Sequence, residues 1–326
     1  MASRRQFVFA GALSAIAPVC FAQKRPAKQF RIGILHPAPI SDAPTAVAVL
    51  ERLAELGYRD GAGMKLEYRA GGDAVEGYPK AARELVEARC DVVLAIGPEV
   101  TVRALQEARG AMPIVFIAID YDPVEKGIVA NLRHPDRNTT GVYVPQNALV
   151  AKRFELLREA LPRARNFLVF SDVYSRDQVA AAQAAAQASD VRMTLVEFSN
   201  PPYDFAPAFA AARKARADGM VTLASPVLFA RRDELAALLL KHRLPAIGST
   251  AGQAVAGYLF SLGPDQVKTT RRAAQIAVRV LKGAKPADTP VEQADEFELA
   301  INAKTARALG VKIPESVLVR ATRIIS

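Results

Sequence analysis

The stretch VVLAIGPEVTVRALQEARGAMPIVFIAI, residues 92–119, carries two structural periods side by side. Val92–Ile96 and Ile114–Ile119 are unbroken apolar runs, the first closed by Gly97-Pro98 and the second opened by Pro113. Between them, Glu99–Ala108 reads as a helix. A strand with one wet face alternates apolar and polar residues, whereas a parallel strand covered on both faces is apolar throughout. Strand, helix and parallel strand make a βαβ unit.

The same pattern extends in both directions. Upstream, Ile32–Leu35 and Lys65–Tyr68 read as strands. Ala43–Leu56 places Val47, Leu50 and Ala54 at helical spacing, with Gly57 where a left-handed cap is expected, and Pro79–Ala88 is a second helix. A second series begins near residue 150. Helices over Val150–Ala160, Arg176–Ala188, Phe205–Ala217 and Arg231–His242 alternate with strands over Phe167–Phe170, Met193–Phe198, Met220–Ala224 and Pro245–Ile247. Gln266–Leu281 is a further helix. Two such series predict an α/β protein of two doubly wound, Rossmann-like lobes joined by hinge strands. Val142–Ala148, with Pro145 and Asn147, is expected to be one hinge strand, and the chain is expected to return near Gly257–Pro264. The expected division is residues 30–144 plus about 257–285 for the first lobe, and 145–256 plus about 290–326 for the second.

The chain has 326 residues, enough for two cores, and its 51% hydrophobic and 23% charged content excludes a disordered chain. Its net charge of +10 raises nucleic acid or an anionic surface as partners. Two arginines of the excess, Arg4 and Arg5, belong to residues 1–22, which read as an export signal. An uncharged run from Phe7 to Ala22 follows them, too short for the roughly 20 residues that span a bilayer, and ends in small residues. Ser3–Val8 is similar to a twin-arginine signal; an ordinary secretory signal with adjacent arginines is the plainer alternative. Cys20 follows Ala17-Pro18-Val19, a poor lipid-attachment context, so a soluble exported chain is expected. The remaining basic residues are spread along helices without interleaved aromatics, which disfavours nucleic acid. Cys90 is left without a disulfide partner, and the three histidines are scattered, so no zinc framework, other metal site or cofactor is expected.

Several segments carry a family resemblance, in order along the chain. They are Gly57–Gly61 with Glu67-Tyr68-Arg69, Arg83–Gly97, Pro113–Val124, Gly127–Gly141, Lys152–Pro162 and, most specifically, Arg271–Asn302. Together they resemble the ABC-transporter substrate-binding family that includes tryptophan- and phenylalanine-binding members. The resemblance implies a type I periplasmic-binding-protein fold. It also implies a periplasmic receptor that captures a small solute, expected to be an amino acid, with aromatic ones among the candidates, and passes it to an inner-membrane permease with its ATPase. A monomer is expected. Two segments depart from the pattern. His134-Pro135-Asp136-Arg137-Asn138 lacks the two glycines usual there, and Leu262 replaces a tyrosine before Gly263, which matters for ligand preference if that position lies near the cleft.

Ligands of open α/β sheets bind beyond the carboxyl ends of the strands. The candidate contacts there are His36, Pro98, Glu99, Val100, Thr101, Asp120, Asp122 and Tyr143 from the first lobe. The second lobe offers Asp172, Tyr174, Ser225 and Thr250. The turn Gly97–Thr101 opens a helix, whose free N–H groups favour a carboxylate; alternatively Glu99 and Thr101 only cap it. Asp120, Asp122 and Asp172 are counter-charges for an ammonium, and Asp122, before Pro123, reads equally as a turn residue. Tyr143 and Tyr174 are flat covers for an apolar side chain or ordinary hinge residues. His36 reads as a hydrogen-bonding wall. Walker A, G-x-G-x-x-G and G-x-S-x-G patterns are absent, so no enzyme is expected. The alternatives are an exported enzyme acting on a small molecule and a ligand-sensing receptor uncoupled from transport.

Overall fold

The computed structural model describes residues 29–72, 74–108, 112–135, 137–199 and 202–326. The expected export signal and Asp136 lie outside them. Two seven-stranded sheets organise the chain. Across the first run Glu292–Gln293, Thr139–Tyr143, Ile114–Ala118, Val92–Gly97, Phe30–His36, Gly63–Ala70 and Arg59–Asp60, every neighbouring pair parallel. Across the second run Arg323–Ile325, Phe297–Asn302, Phe260–Pro264, Ala246–Gly248, Gly219–Thr222, Asn166–Asp172 and Arg192–Phe198. Here one pair is antiparallel, Phe260–Pro264 against Phe297–Asn302. Val92–Gly97 and Ile114–Ala118 are buried at every residue, as their unbroken apolar runs require.

Three apolar clusters hold the layers together. One covers a face of the first sheet, where Leu35, Val93 and Phe116 meet Leu85 and Leu105 from the helices Gly77–Glu87 and Glu99–Glu107. Another covers a face of the second sheet and centres on Phe170, whose ring meets Phe198 edge-on at 5.0 Å and stacks on Phe205 at 6.0 Å. The third runs through both lobes, from Ile32, Ile96 and Val142 to Phe154, Phe167, Val221 and Phe260. The lobes therefore share a continuous apolar floor at the hinge.

The chain crosses between lobes three times, and the crossings differ from the expected ones. The first is shorter. The strand stops at Tyr143 and the helix Gln146–Ala160 starts at once, with Pro145 at its N-cap, so Val142–Ala148 is not a hinge strand. The second lies at Pro264-Asp265. The strand Phe260–Pro264 belongs to the second sheet, between Ala246–Gly248 and Phe297–Asn302, and residues 257–264 do not return to the first lobe. Only the following helix, Gln266–Leu281, packs there, against the helix Pro44–Glu55. The third crossing follows Glu292–Gln293, which extends the first sheet although 290–326 was expected in the second lobe. A short apolar run does not state which sheet it joins; close approach decides it. A Cβ at Gly263 would stand 1.8 Å from the Ser249 carbonyl oxygen, so glycine admits this strand beside Ala246–Gly248.

Arg153, wholly buried, ties the first two crossings together. Its Nε donates to the Leu262 carbonyl and its Nη2 to Gln146 Oε1, both at 2.8 Å, while Gln146 Nε2 donates to the Ile119 carbonyl at 2.6 Å. Burial pushes the guanidinium down to about 9. Leu262 thus packs in the hinge core.

Candidate functional site

The strand ends of both sheets open into one cleft of about 780 Å³ between the lobes. The first lobe brings His36 from the end of Phe30–His36, Gly97-Pro98 from the end of Val92–Gly97, and Ile119-Asp120 just beyond Ile114–Ala118. The second brings Ala224-Ser225 beyond Gly219–Thr222 and Ser249-Thr250 beyond Ala246–Gly248. Of the predicted contacts, His36, Pro98, Asp120, Tyr174, Ser225 and Thr250 line this space.

Asp120 is the chemically unusual member. It is 4% exposed, and Oδ1 has no hydrogen-bond partner among the described residues. Burial pushes its carboxyl well above the usual carboxylate range, and the nearby Asp172, Asp177 and Glu99 push it further. Such a group is costly as a bare anion and is relieved by a cation brought into the cleft. Beside it, the chain turns at Gly97, whose φ of +121° suits glycine, into the helix Glu99–Glu107. Thr101 lies beneath this turn, buried, with its hydroxyl unpartnered among the described residues.

His36 is held as a neutral wall. Its Nδ1 lies 3.0 Å from the Ala38 nitrogen and 3.2 Å from the Ala38 carbonyl oxygen, and its Nε2 lies 3.1 Å from Thr45 Oγ1. Burial lowers its ring to about 4. Thr250 stands at the N-cap of the helix Ala251–Ala256, and the backbone N–H groups of Ser249 and Thr250 both donate to Gln253 Oε1. Ser225 caps the helix Pro226–Ala230 by accepting from the Val227 and Leu228 N–H groups, and it donates to Asp172 Oδ2 at 2.5 Å. Its hydroxyl is already engaged.

The remaining candidates do not line the cleft. Asp172 is enclosed: Oδ1 accepts from the Tyr174 and Ser175 N–H groups and the Ser175 hydroxyl, and Oδ2 from Tyr203 and Ser225. Although burial raises its carboxyl, these five donors give it a structural post, holding Ser225 and Tyr174 at the wall. Asp122 accepts from the Val124 and Glu125 N–H groups, the turn role that its Asp-Pro context allowed. Tyr143 donates to Gln293 Oε1 at 2.8 Å and staples the third crossing. Val100 packs into the first-lobe core and Thr101 lies below the surface. Glu99 turns away to pair with Arg103 and with Lys126 at 3.5 Å.

Residues beyond the expected set also line the cleft, among them Asp42, Thr45, Tyr78, Phe229 and Arg232. Asp42 closes the short 3-10 turn Ile40–Asp42, and Phe229 lies in the five-residue helix Pro226–Ala230. Elements this short leave no hydrophobic period to read. Ser225-Pro226, a capping residue before a proline at the first helical position, was the available signal. Among the described residues, no three His, Cys, Asp or Glu side chains gather to hold a metal, and no helix is long and apolar enough to cross a membrane.

Two sheets of mostly parallel strands around an inter-lobe cleft define a binding-protein architecture. Residues 39–325 match the family described as ABC transporter substrate binding protein, and the chain belongs to it. A similar protein is the tyrosine-binding protein of Clostridioides difficile (strain R20291), 25% identical over 271 residues, covering 81% of this chain and 75% of that one. Among solved structures, the ABC domain from Streptococcus pneumonia in complex with L-Trp is similar with a TM-score of 0.82 and 25% identity, over 91% of this chain and 100% of that one. A conserved domain protein from Vibrio cholerae O1 biovar eltor has the same fold, with a TM-score of 0.82, 24% identity and the same coverage. The protein is thus an ABC-transporter substrate-binding protein, of a class that takes up small solutes and works with ABC permeases.

Proposed function

We propose that the solute is an amino acid held by both of its charged groups, and that the chain acts in the periplasm as a soluble monomer that releases it unaltered to a permease. The observation that carries this reading is Asp120, a buried cleft carboxylate with an oxygen unpartnered among the described residues. An α-ammonium supplies the missing donor and the compensating charge together. The α-carboxylate then falls to the wall at Gly97-Pro98, where the helix Glu99–Glu107 directs the positive end of its dipole. Thr250 and Tyr174 face the ligand from the second lobe, and His36 contributes an uncharged surface. The similarity to a tyrosine-binding protein and to an L-Trp complex supports the same ligand class.

The test is thermal unfolding of the full chain, refolded to strip carried-over ligand, with single amino acids at millimolar concentration. A ligand at a hundred times its Kd stabilises by about 2.7 kcal/mol, several degrees in Tm. L-Tyrosine is compared with tyramine, which lacks the carboxylate, and with 3-(4-hydroxyphenyl)propionate, which lacks the ammonium. Stabilisation by amino acids and by neither analogue is expected. No stabilisation by any amino acid would sink the reading, and turnover of a stabilising compound would make the protein an enzyme. Cell fractionation tests the location: a periplasmic chain shortened by residues 1–22 is expected.

A further inference from the structure

The second-lobe wall of the cleft contains an arginine that the ammonium and carboxylate assignments leave unused. Arg232 opens the helix Arg232–Lys241, and its guanidinium carbon lies 4.6 Å from the centroid of the Phe229 ring. Both side chains line the cleft. Arg232 Nη1 donates to the Phe229 carbonyl at 3.2 Å, which pins the guanidinium over the ring of the same residue. Gly252 makes the room. A Cβ there would stand 2.9 Å from Phe229 Cε2 and 3.9 Å from Arg232 Cδ, so the pair packs flush against the helix Ala251–Ala256. Among the described lining residues Arg232 is the only lysine or arginine, and His36 opposite is neutral.

What this guanidinium offers a ligand follows from which parts are already in use. One face covers Phe229. In its plane, Nη1 is engaged by a carbonyl and Nη2 lies 3.8 Å from the Asp233 carboxylate, which offsets part of its charge. An end-on fork would need both of those nitrogens, whereas the Nε–Nη2 edge remains for a side-on grip, the counter-ion role that the experiment below separates from ring contact. Among the described residues Phe229 is the one ring recorded against this guanidinium, which lines the cleft, and a guanidinium's second flat face attracts the negative face of an aromatic ring. We propose that Arg232, backed by Phe229, is a specificity-determining residue of the cleft, and that its open face selects amino acids whose side chain is a flat, electron-rich ring. This rests on the amino-acid reading above and adds the side-chain subsite to it.

The experiment measures Kd for L-tyrosine, L-tryptophan and L-leucine by calorimetry on the refolded full chain and on Arg232→Met, Arg232→Lys and Phe229→Leu. The quantity read is the ratio of the leucine Kd to the tyrosine or tryptophan Kd. A cation–π contact predicts that Arg232→Met lowers this ratio about 2- to 30-fold. Arg232→Lys keeps the charge but has no flat face, and is expected to lower it as well. Phe229→Leu removes the backing ring and lowers it by a mechanism independent of charge. Ratios within twofold of the wild type in the folded variants would overturn the proposal while leaving the amino-acid reading intact. Equal weakening for all three ligands in Arg232→Met, with Arg232→Lys unaffected, would also overturn it and make Arg232 a plain counter-ion for the carboxylate. If no amino acid binds the wild type, the underlying reading fails and takes this proposal with it. Unfolding transitions identify a misfolded variant, and the other two then decide.

Discussion

Asp120 and Asp172 are both buried aspartates at strand ends, yet their surroundings give them opposite tasks. Asp172 has five donors and holds the wall together; Asp120 has an oxygen with none among the described residues and faces the cleft. Substitution separates them. Asp172→Ala removes the carboxylate that accepts from the Tyr203, Ser225 and Ser175 hydroxyls and from the Tyr174 and Ser175 N–H groups. A loss of about 2–4 kcal/mol is expected in denaturant unfolding. Above the raised titration range of Asp120, Asp120→Asn removes a buried uncompensated charge, so there the empty protein is expected to unfold at a higher temperature than the wild type. Its affinity for an amino acid should fall roughly ten- to a hundred-fold, the loss of a charged hydrogen bond. The pH dependence follows from the raised carboxyl of Asp120. A group that holds its proton more tightly in the folded than in the unfolded chain makes folding less favourable as pH rises from the ordinary value of 3.8 through the raised one. Pairing with an ammonium needs the ionised form, so amino-acid affinity rises over that same window. Calorimetry across pH should show this rise in the wild type and a flat profile in Asp120→Asn. A wild-type profile as flat as that of Asp120→Asn would remove Asp120 from the ammonium site.

Elements differ in how much of them the sequence discloses, and the difference is physical. Val92–Gly97 and Ile114–Ala118 are read directly because burial on both faces demands an unbroken apolar run. The strand ends then follow, and with them His36, Pro98, Asp120, Ser225 and Thr250 on the cleft wall. Which of the acidic residues face inward is not periodic information. It depends on local donors: the N–H groups of Val124 and Glu125 turn Asp122 away, and Ser175 and Tyr203 enclose Asp172. The crossing at Phe260–Pro264 is obscure for another reason. Pairing is a long-range choice, made here by the missing Cβ of Gly263 against the Ser249 carbonyl. Gly263→Ala tests that element. The methyl group cannot be accommodated at 1.8 Å from backbone, so the strand must move away from Ser249 and Thr250. A destabilisation at or above the roughly 1–3 kcal/mol of ordinary overpacking is expected, together with weaker ligand binding, because both neighbours line the cleft. Unchanged unfolding in urea would mean that the strand does not approach so closely.

At the scale of the whole molecule, the +10 excess has little bearing on the cleft, but one cation bears on how the lobes meet. Lys126, in the segment after Ile114–Ala118, lies 2.5 Å from Asp177 of the second lobe and 3.5 Å from Glu99 of its own. Burial works to lower its ammonium, and the pairing with Asp177 and Glu99 outweighs that and holds it above its ordinary value. Both partners are partly exposed, at 29% and 38%, so the pair is worth no more than about 1 kcal/mol in ordinary salt. Small as it is, it forms only when the lobes are together. Its whole value therefore enters the closing equilibrium, and through it the affinity for any ligand that both lobes grip. Lys126→Met is expected to weaken amino-acid binding up to about fivefold at low salt. Raising the salt shortens the Debye length from about 30 Å at 0.01 M to about 3 Å at 1 M, and should weaken wild-type binding toward the level of the variant. The proposed Asp120–ammonium contact would also respond to salt, but it is common to both proteins, so the gap between their curves isolates the latch. Asp177→Asn should close the same gap, and the double substitution should cost no more than either single one. Parallel salt curves for wild type and Lys126→Met would show that this pair does not help to hold the lobes together.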